Sequence, residues 1–337
     1  LLVVLSLVPM LLAGGCGPVH FTVGVMPGDQ RLAVTTVQRA RIATGDRIAI
    51  IDVSGMILNA RRPGLIQQGE NPVAFLDEQL EAARGDARVK AIVLRLNTPG
   101  GTVTASDAMH RLVKRFRQET GKPVVALMMD VAASGGYYLA CASDRIVAYP
   151  TTVTGSIGVI LQTVTVKPAL DRIGIHAEAF TSGANKDAGS PLSTLNDQHR
   201  AVLRQLVTDF YARFVAVVRE ARPAIPAERF AEVTDGRVFS GDQALALGLV
   251  DELGDLQDSL RVAARLARIK DAHVVMFHRP LSYVATPYSP SASAPATGTQ
   301  INVAQLNLPE SSEWLSSAAP GFYYLWVPPV PPASLTP

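Results

Sequence analysis

The chain has 337 residues, a formal net charge of +2 and 48% hydrophobic residues, which allows one large globular domain or two ordinary ones. Charges of both signs are spread along it, without the basic patch or stripe of a nucleic-acid-binding protein. Two cysteines, Cys16 and Cys141, are too few for a disulfide framework and have no metal-ligand spacing.

The first segment, "LLVVLSLVPMLLAGGCG", is apolar to Leu12 and then turns small before Cys16. About a dozen apolar residues is short for a transmembrane helix and normal for the h-region of a signal peptide. "LLAGGC" resembles a bacterial lipobox ending at Cys16, with Ala13 where Leu is usual. A lipoprotein signal, an uncleaved anchor and a plain secretory signal all fit, and each exports the protein. Residues 17–45 are mixed and mostly polar and read as a connector.

From Arg47 the pattern alternates. "RIAIIDVSG" (47–55) reads as a buried strand, "NPVAFLDEQLEAARGD" (71–86) as a helix, and "VKAIVLRLNTPGG" (89–101) as a second buried strand closed by a glycine turn. "SDAMHRLVKRFRQET" (106–120) reads as a helix capped by Ser106 and stopped by Gly121. "KPVVALMMD" is a third strand, a helix follows Ser134, and "DRIVAYP" (144–150) is a further short strand. "HAEAFTSG" (176–183) is expected to be a strand, residues 196–222 a long amphipathic helix, 240–269 two helices around a turn, and "AHVVMFH" (272–278) a last strand. Such alternation predicts an α/β fold with a mainly parallel sheet and crossover helices. After about Ser282 the chain is rich in Pro, Ser, Ala and Thr and reads as a tail, interrupted by the apolar run "FYYLWV" (322–327).

Within this frame, "MMDVAASGGYYLACA" places Ser134 at a strand-to-helix turn. The position suits a helix N-cap and suits a nucleophile equally. "NTPGG" (97–101) ends the neighbouring strand and offers backbone N–H groups for an oxyanion hole, paired with the N–H of Gly135. Donors of this kind contribute about 2.7–4 kcal/mol each to a transition state. A serine nucleophile needs a base. None of the six histidines has a motif around it. Lys186, in the Gly-rich loop "TSGANKDAGSP", is the outstanding alternative, with Ser156 of "TGSIGV" as a polar partner for its amine. Cys141 lies in an apolar run, where a thiol behaves as a small buried hydrophobe.

"LNTPGG", "DVAASGGYYLACASDRIVAYP", "TVTGSIGVI", "TSGANKDAGSPL" and "TDGRVFSGDQALALGLVDELG" together resemble the signal peptide peptidase A family, the protease IV or S49 serine peptidases, in its single-length form. The resemblance spans about Arg47 to Arg268. It implies a ClpP/crotonase-like fold, with a catalytic domain at 46–281 between the 1–16 signal or anchor, the 17–45 connector and the 282–337 tail. It makes Ser134 the nucleophile, Lys186 the general base, Ser156 the residue that orients the lysine, and Gly101 and Gly135 the oxyanion donors, with no metal and no cofactor. It implies cleavage of signal-peptide remnants and other unfolded peptides by an enzyme anchored in the bacterial envelope, its catalytic domain outside the cytoplasm. It also implies a ring-shaped homo-oligomer in which neighbours share sites. Where the family usually has "NSPGG", this chain has Thr98, which keeps the hydroxyl. An inactive scaffold of the same fold predicts loss of Ser134 or Lys186. A crotonase-type acyl-CoA enzyme needs no serine at the helix mouth. A ClpP-like Ser-His-Asp peptidase predicts a histidine motif, and the sequence has none.

Overall fold

The computed structural model describes residues 31–60, 70–280, 282–289 and 321–326. Its strands are β1 (Ala33–Gln38), β2 (Arg47–Ser54), β3 (Val89–Thr98), β4 (Gly100–Thr102), β5 (Val124–Ala133), β6 (Arg145–Ala148), β7 (Val153–Gly155), β8 (Ile160–Gln162), β9 (Val238–Ser240), β10 (Glu252–Leu253), β11 (His273–His278) and β12 (Gly321–Leu325). Its helices, numbered among the described residues, are α1 (Pro72–Gly85), α2 (Val103–Thr120), α3 (Gly135–Ala140), α4 (Lys167–Arg172), α5 (Asp197–Ala221), α6 (Ala227–Val233), α7 (Gly241–Ala246) and α8 (Leu256–Leu266).

The main sheet runs β1-β11-β2-β3-β5-β6-β10. All its neighbours pair in parallel except β1 on β11. The central strands are apolar on both faces because both faces are covered, as a parallel sheet with crossover helices requires. Ile48, Ile50, Val93 and Leu127 pack under α8, whereas Ile51, Leu94, Leu96 and Ala126 pack with α1, α2 and α3 on the other side. Helix α1 starts at Asn71, whose side chain accepts from the N–H groups of Val73 and Ala74, with Pro72 as its first residue. Helix α2 ends on Gly121 at φ 66°, a left-handed cap that glycine adopts without a Cβ penalty.

Strand β5 carries the site. Its first half, Val125–Met128, pairs with β6, and its second half, Val131–Ala133, pairs with β7. Thr152 stands where the partners change. Its hydroxyl lies 3.0 and 2.6 Å from the carbonyls of Met128 and Met129. The fork lets β5 run on beyond the body of the sheet. A second sheet, β4-β12-β8, antiparallel throughout, lies beside that end.

Several expectations are corrected. Residues 176–183 form no strand, and Phe180 within them is 93% exposed. Helix α2 is capped by Thr102 rather than Ser106, which lies buried inside the helix with its hydroxyl on the Thr102 carbonyl at 3.0 Å. The connector contains β1, paired with β11. The start of the tail is pinned to the sheet: Arg95, in a buried ion pair with Asp52 at 2.6 Å, also donates to the carbonyls of Pro287 and Ser289. The 1–16 segment with Cys16, and tail residues 290–320 and 327–337, lie outside the described residues. No helix among the described residues is long and apolar enough to cross a membrane.

Candidate active site

Ser134 stands where β5 gives way to α3, at φ 53° and ψ −113°. Such a conformation costs of order 1–3 kcal/mol and persists only where the surroundings over-determine it. Here they do. The Ser134 N–H donates to the Gly155 carbonyl at 2.8 Å, and its carbonyl accepts from the Tyr138 N–H at 2.8 Å. Helix α3 is fixed in turn by two buried tyrosines. The Tyr137 hydroxyl donates to the Leu249 carbonyl, and the Tyr138 hydroxyl donates to Asp107, both at 2.8 Å.

The Ser134 side chain has no structural task. It does not cap α3, and its Oγ is buried without a hydrogen bond among the described residues. A buried polar group left in that condition costs about 1–3 kcal/mol. The N-cap alternative therefore fails, because a cap would have supplied the partner. A strained backbone and an unmet hydroxyl in one residue are features that persist for function.

The glycine turn packs directly against this residue. A Cβ on Gly100, which has φ +102°, would stand 2.7 Å from the backbone nitrogen of Gly135 and would collide with the Tyr324 carbonyl oxygen. A Cβ on Gly101 would collide with the Ile57 backbone. Ile57 donates its N–H to the Gly100 carbonyl at 2.8 Å and accepts from the Thr102 N–H at 2.9 Å. The alternation of a ladder therefore turns the N–H and C=O of Gly101 the other way, towards its β12 partner Tyr324.

The structure thus brings Ser134, Gly135 and the Gly100–Gly101 turn together. Ser156 is close along the backbone, since the Gly155 carbonyl holds Ser134. It has φ 50° and donates its N–H to the Arg237 carbonyl at 2.7 Å. Ser134 and Ser156 are two of three described non-glycine residues with positive φ, which sets both apart from ordinary turn serines. Lys186 is not brought to Ser134 within one chain. It is exposed, in the turns that follow residue 181, with its N–H on the Gly183 carbonyl at 3.1 Å.

The histidines serve elsewhere. His110 packs edge-on against Tyr138 at 5.1 Å, and His273 and His278 hold backbone and side-chain groups near β11. Burial pushes the Cys141 thiol up to about 12, which keeps it protonated and inert. Sequence reasoning missed Gly100, whose positive φ and closeness to Gly135 no local pattern reveals. It also missed His199. That ring, 3% exposed, donates from Nε2 to the Ala184 carbonyl at 2.7 Å and lies 3.5 Å from Asp187, gripping the Lys186 loop on both sides.

A serine held in strain at the end of a parallel strand, next to Gly135 and the Gly100 turn that packs on it, is the arrangement of serine hydrolases of α/β architecture. Comparison with known proteins narrows the class. Residues 116–270, which include Ser134, Ser156 and Lys186, match the model of peptidase family S49. The chain is 38% identical over 232 residues to protease 4 of Salmonella typhi, covering 68% of this chain and 36% of that protein. It is 32% identical over 236 residues to a putative signal peptide peptidase SppA of Enterococcus faecium, covering 70% of this chain and 68% of that one. A putative protease of Synechocystis is 34% identical over 227 residues, with 67% and 76% covered. The chain belongs to peptidase family S49; it is a serine peptidase with the ClpP-like α/β fold expected of that family. It spans little more than a third of the Salmonella protein's length.

Proposed function

We propose that the protein is an endopeptidase working through a Ser134/Lys186 dyad on unfolded peptides, signal-peptide remnants among them, outside the cytoplasm at the membrane. One observation carries this reading: the Ser134 Oγ is buried, strained in position and without a partner, beside glycine N–H groups. Lys186 takes the Ser134 proton. The alkoxide attacks the scissile carbonyl, and the N–H groups of Gly101 and Gly135 stabilise the tetrahedral intermediate. The lysine, now charged, protonates the leaving amine. Water then repeats the sequence on the acyl-enzyme, with Ser156 orienting the amine.

The lysine that serves a given Ser134 comes from a neighbouring copy in a ring. Two features support this. The Ser134 Oγ has no hydrogen-bond partner among the described residues, while Lys186 is exposed on an outlying segment. That segment also bears Ile173 at 70%, Ile175 at 51% and Phe180 at 93% exposure, an apolar group that a second copy would cover. The name of the Enterococcus relative supports signal peptides as substrates, and the lipobox-like segment ending at Cys16 supports the anchor.

The test is hydrolysis of an unfolded peptide by Ser134→Ala and by Lys186→Ala. Both should lose essentially all turnover while staying folded, with Ser134→Ala unfolding no lower than the wild type. Full activity in either variant removes that residue from the dyad. Incorporation of a labelled lipid precursor, abolished in Cys16→Ala, tests the anchor.

A further inference from the structure

Helices α2 and α5 leave a cleft of about 380 Å³ between them, within the size range of small-molecule sites. Ser134, Ser156 and Lys186 do not line it. Helix α2 contributes Asp107, Arg111, Lys114 and Arg115, which the helical repeat puts on one face. Helix α5 contributes Arg213 and Glu220, about two turns apart on the facing side.

Four cations thus share the cleft with two carboxylates, and both carboxylates are already engaged. Asp107 accepts from Arg111 Nε at 2.7 Å, from Arg213 Nη2 at 2.8 Å and from the Tyr138 hydroxyl at 2.8 Å. Glu220 pairs with Lys114 at 2.5 Å. Arg115 has neither a hydrogen bond nor an ion pair among the described residues. An excess of two positive charges is therefore gathered in a concavity between two helices.

The floor of the cleft carries a second, independent feature. His110 is 7% exposed and lines the cleft, yet its ring makes no hydrogen bond among the described residues. The ring is held edge-on against Tyr138 at 5.1 Å. Burial, and then the charge of Lys114, keep it neutral at pH 7, with Arg111 acting in the same sense and Asp107 and Glu220 against it. A neutral imidazole has one N–H to give, and a nearly buried donor calls for an acceptor. An acceptor reaches it through the cleft.

We propose that the α2–α5 cleft binds a dianionic phosphate group, free or carried on a monoester, with Arg111, Arg115 and Arg213 as a guanidinium clamp, Lys114 as a further cation and the His110 N–H donating from the floor. Guanidinium forks match phosphate oxygens two at a time, and the two negative charges equal the excess in the cleft. A simple carboxylate brings one charge and two oxygens, too few for this set of donors. The bound group bridges α2 and α5 beside the Asp107–Tyr138 hydrogen bond, so its occupancy stabilises the support of α3. Binding needs neither Ser134 nor Lys186, and the site stands whether or not the chain cleaves peptides.

The experiment is titration calorimetry on the full chain at about pH 8, where phosphate is mostly dianionic, at constant ionic strength. Inorganic phosphate, glycerol phosphate and dihexanoyl phosphatidic acid are the probes, with acetate as the control. Saturable binding of the phosphates and none of acetate is expected. Arg115→Glu has no partner to lose, keeps the fold, and should weaken phosphate binding at least about tenfold, the worth of one hydrogen bond to a charged group. Arg115→Gln removes the charge without reversing it and should weaken binding about 3-fold or more. His110→Phe should weaken it about 3- to 10-fold. Phosphate should also raise the unfolding temperature of the wild type more than that of Arg115→Glu, since its general salt effect is common to both. Absence of saturable binding by all three phosphates overturns the site. Acetate binding as tightly as phosphate overturns it too, as does unchanged affinity in both Arg115 variants. Unchanged affinity in His110→Phe overturns the part assigned to the floor. The tightest of the three probes names the source of the phosphate, whether free ion, soluble ester or lipid headgroup, and each of these upholds the cleft.

Discussion

The backbone N–H of Ser134 rests on the carbonyl of Gly155 at 2.8 Å, so the candidate nucleophile and Ser156 hang from one β5–β7 rung, each with positive φ. The rung fixes the nucleophile's backbone against its own preference. Glycine reaches positive φ without the Cβ penalty. Ser134→Gly should therefore be inactive towards peptides yet raise the unfolding free energy by about 1–2 kcal/mol, through relief of strain and removal of the unpaired hydroxyl. Thermal and denaturant unfolding beside the wild type measures it. A destabilised Ser134→Gly would mean that the hydroxyl has a structural partner after all.

The parts legible in the sequence are those whose cause is local. Strands β2, β3 and β5 read as apolar runs because burial on both faces demands them, and Asn71, Asn196 and Gly121 marked helix ends through their own chemistry. Ser134 stood out for its small neighbours. Strands β4, β7, β8 and β9 have three residues each and exist only through long-range pairing, so no periodicity announces them. Ser106 looked like a cap because it is a serine before a helical pattern, but Val103 and Ala105 are buried and draw the helix back to Thr102. The strand expected at 176–183 finds no pairing partner among the described residues, and Phe180 within it stays exposed. The seating of "FYYLW" beside the glycine turn depends on residues more than two hundred positions away.

His199 is expected to act on turnover by positioning. Its Nε2–H holds the Ala184 carbonyl, two residues before Lys186, and its other nitrogen is buried without a partner among the described residues, so the ring is fixed by this loop and by the helix it belongs to. His199→Ala frees the loop. A misplacement of about 1 Å at a reacting group costs on the order of a hundredfold, so kcat should fall 10- to 100-fold by that principle while KM for peptide changes little. Steady-state kinetics check this. A change confined to KM would assign His199 to substrate binding instead.

Gly101→Ala places a methyl group into the Ile57 backbone, which is held on both sides by hydrogen bonds to Gly100 and Thr102. Neither strand can yield without breaking that bridge. A loss of about 1–3 kcal/mol in stability is expected, the range for overpacking, together with loss of peptidase activity, because the N–H that faces Tyr324 moves with the strand. Unfolding curves and peptide hydrolysis on the same preparation test both effects. Wild-type turnover in Gly101→Ala would remove Gly101 from the oxyanion role.

Stability should depend on pH through His110. Burial, and then the nearby Lys114 charge, lower its pKa from 6.5 to about 4, against smaller opposing contributions from Asp107 and Glu220, with Arg111 adding to the lowering. Between these two values the unfolded chain binds a proton that the folded chain does not. The contribution is therefore whole above about pH 6.5 and is lost as the pH falls towards 4, up to about 3 kcal/mol by linkage. His110→Phe keeps an aromatic edge against Tyr138 and removes the proton site. Denaturant unfolding at pH 7 and pH 5 should show a smaller loss in His110→Phe than in wild type. Equal losses would place the acid sensitivity in the carboxylates alone.

A site shared between copies has a consequence that a self-contained site lacks. Ser134→Ala supplies an intact Lys186, and Lys186→Ala supplies an intact Ser134. In a closed ring assembled at random from equal amounts of both, a site is complete wherever the serine donor precedes the lysine donor, which is about a quarter of all sites. Co-expression of the two inactive chains should therefore restore about 25% of wild-type hydrolysis per ring by the same counting, and separately purified rings should restore none until subunits exchange. If each chain completed its own site, every site in the mixture would lack one member of the dyad, and activity would stay at the level of the single variants. Mixed rings with no activity, at a native mass equal to wild type, would place Ser134 and Lys186 of one chain together and would require the exposed 182–192 loop to fold inwards when peptide binds.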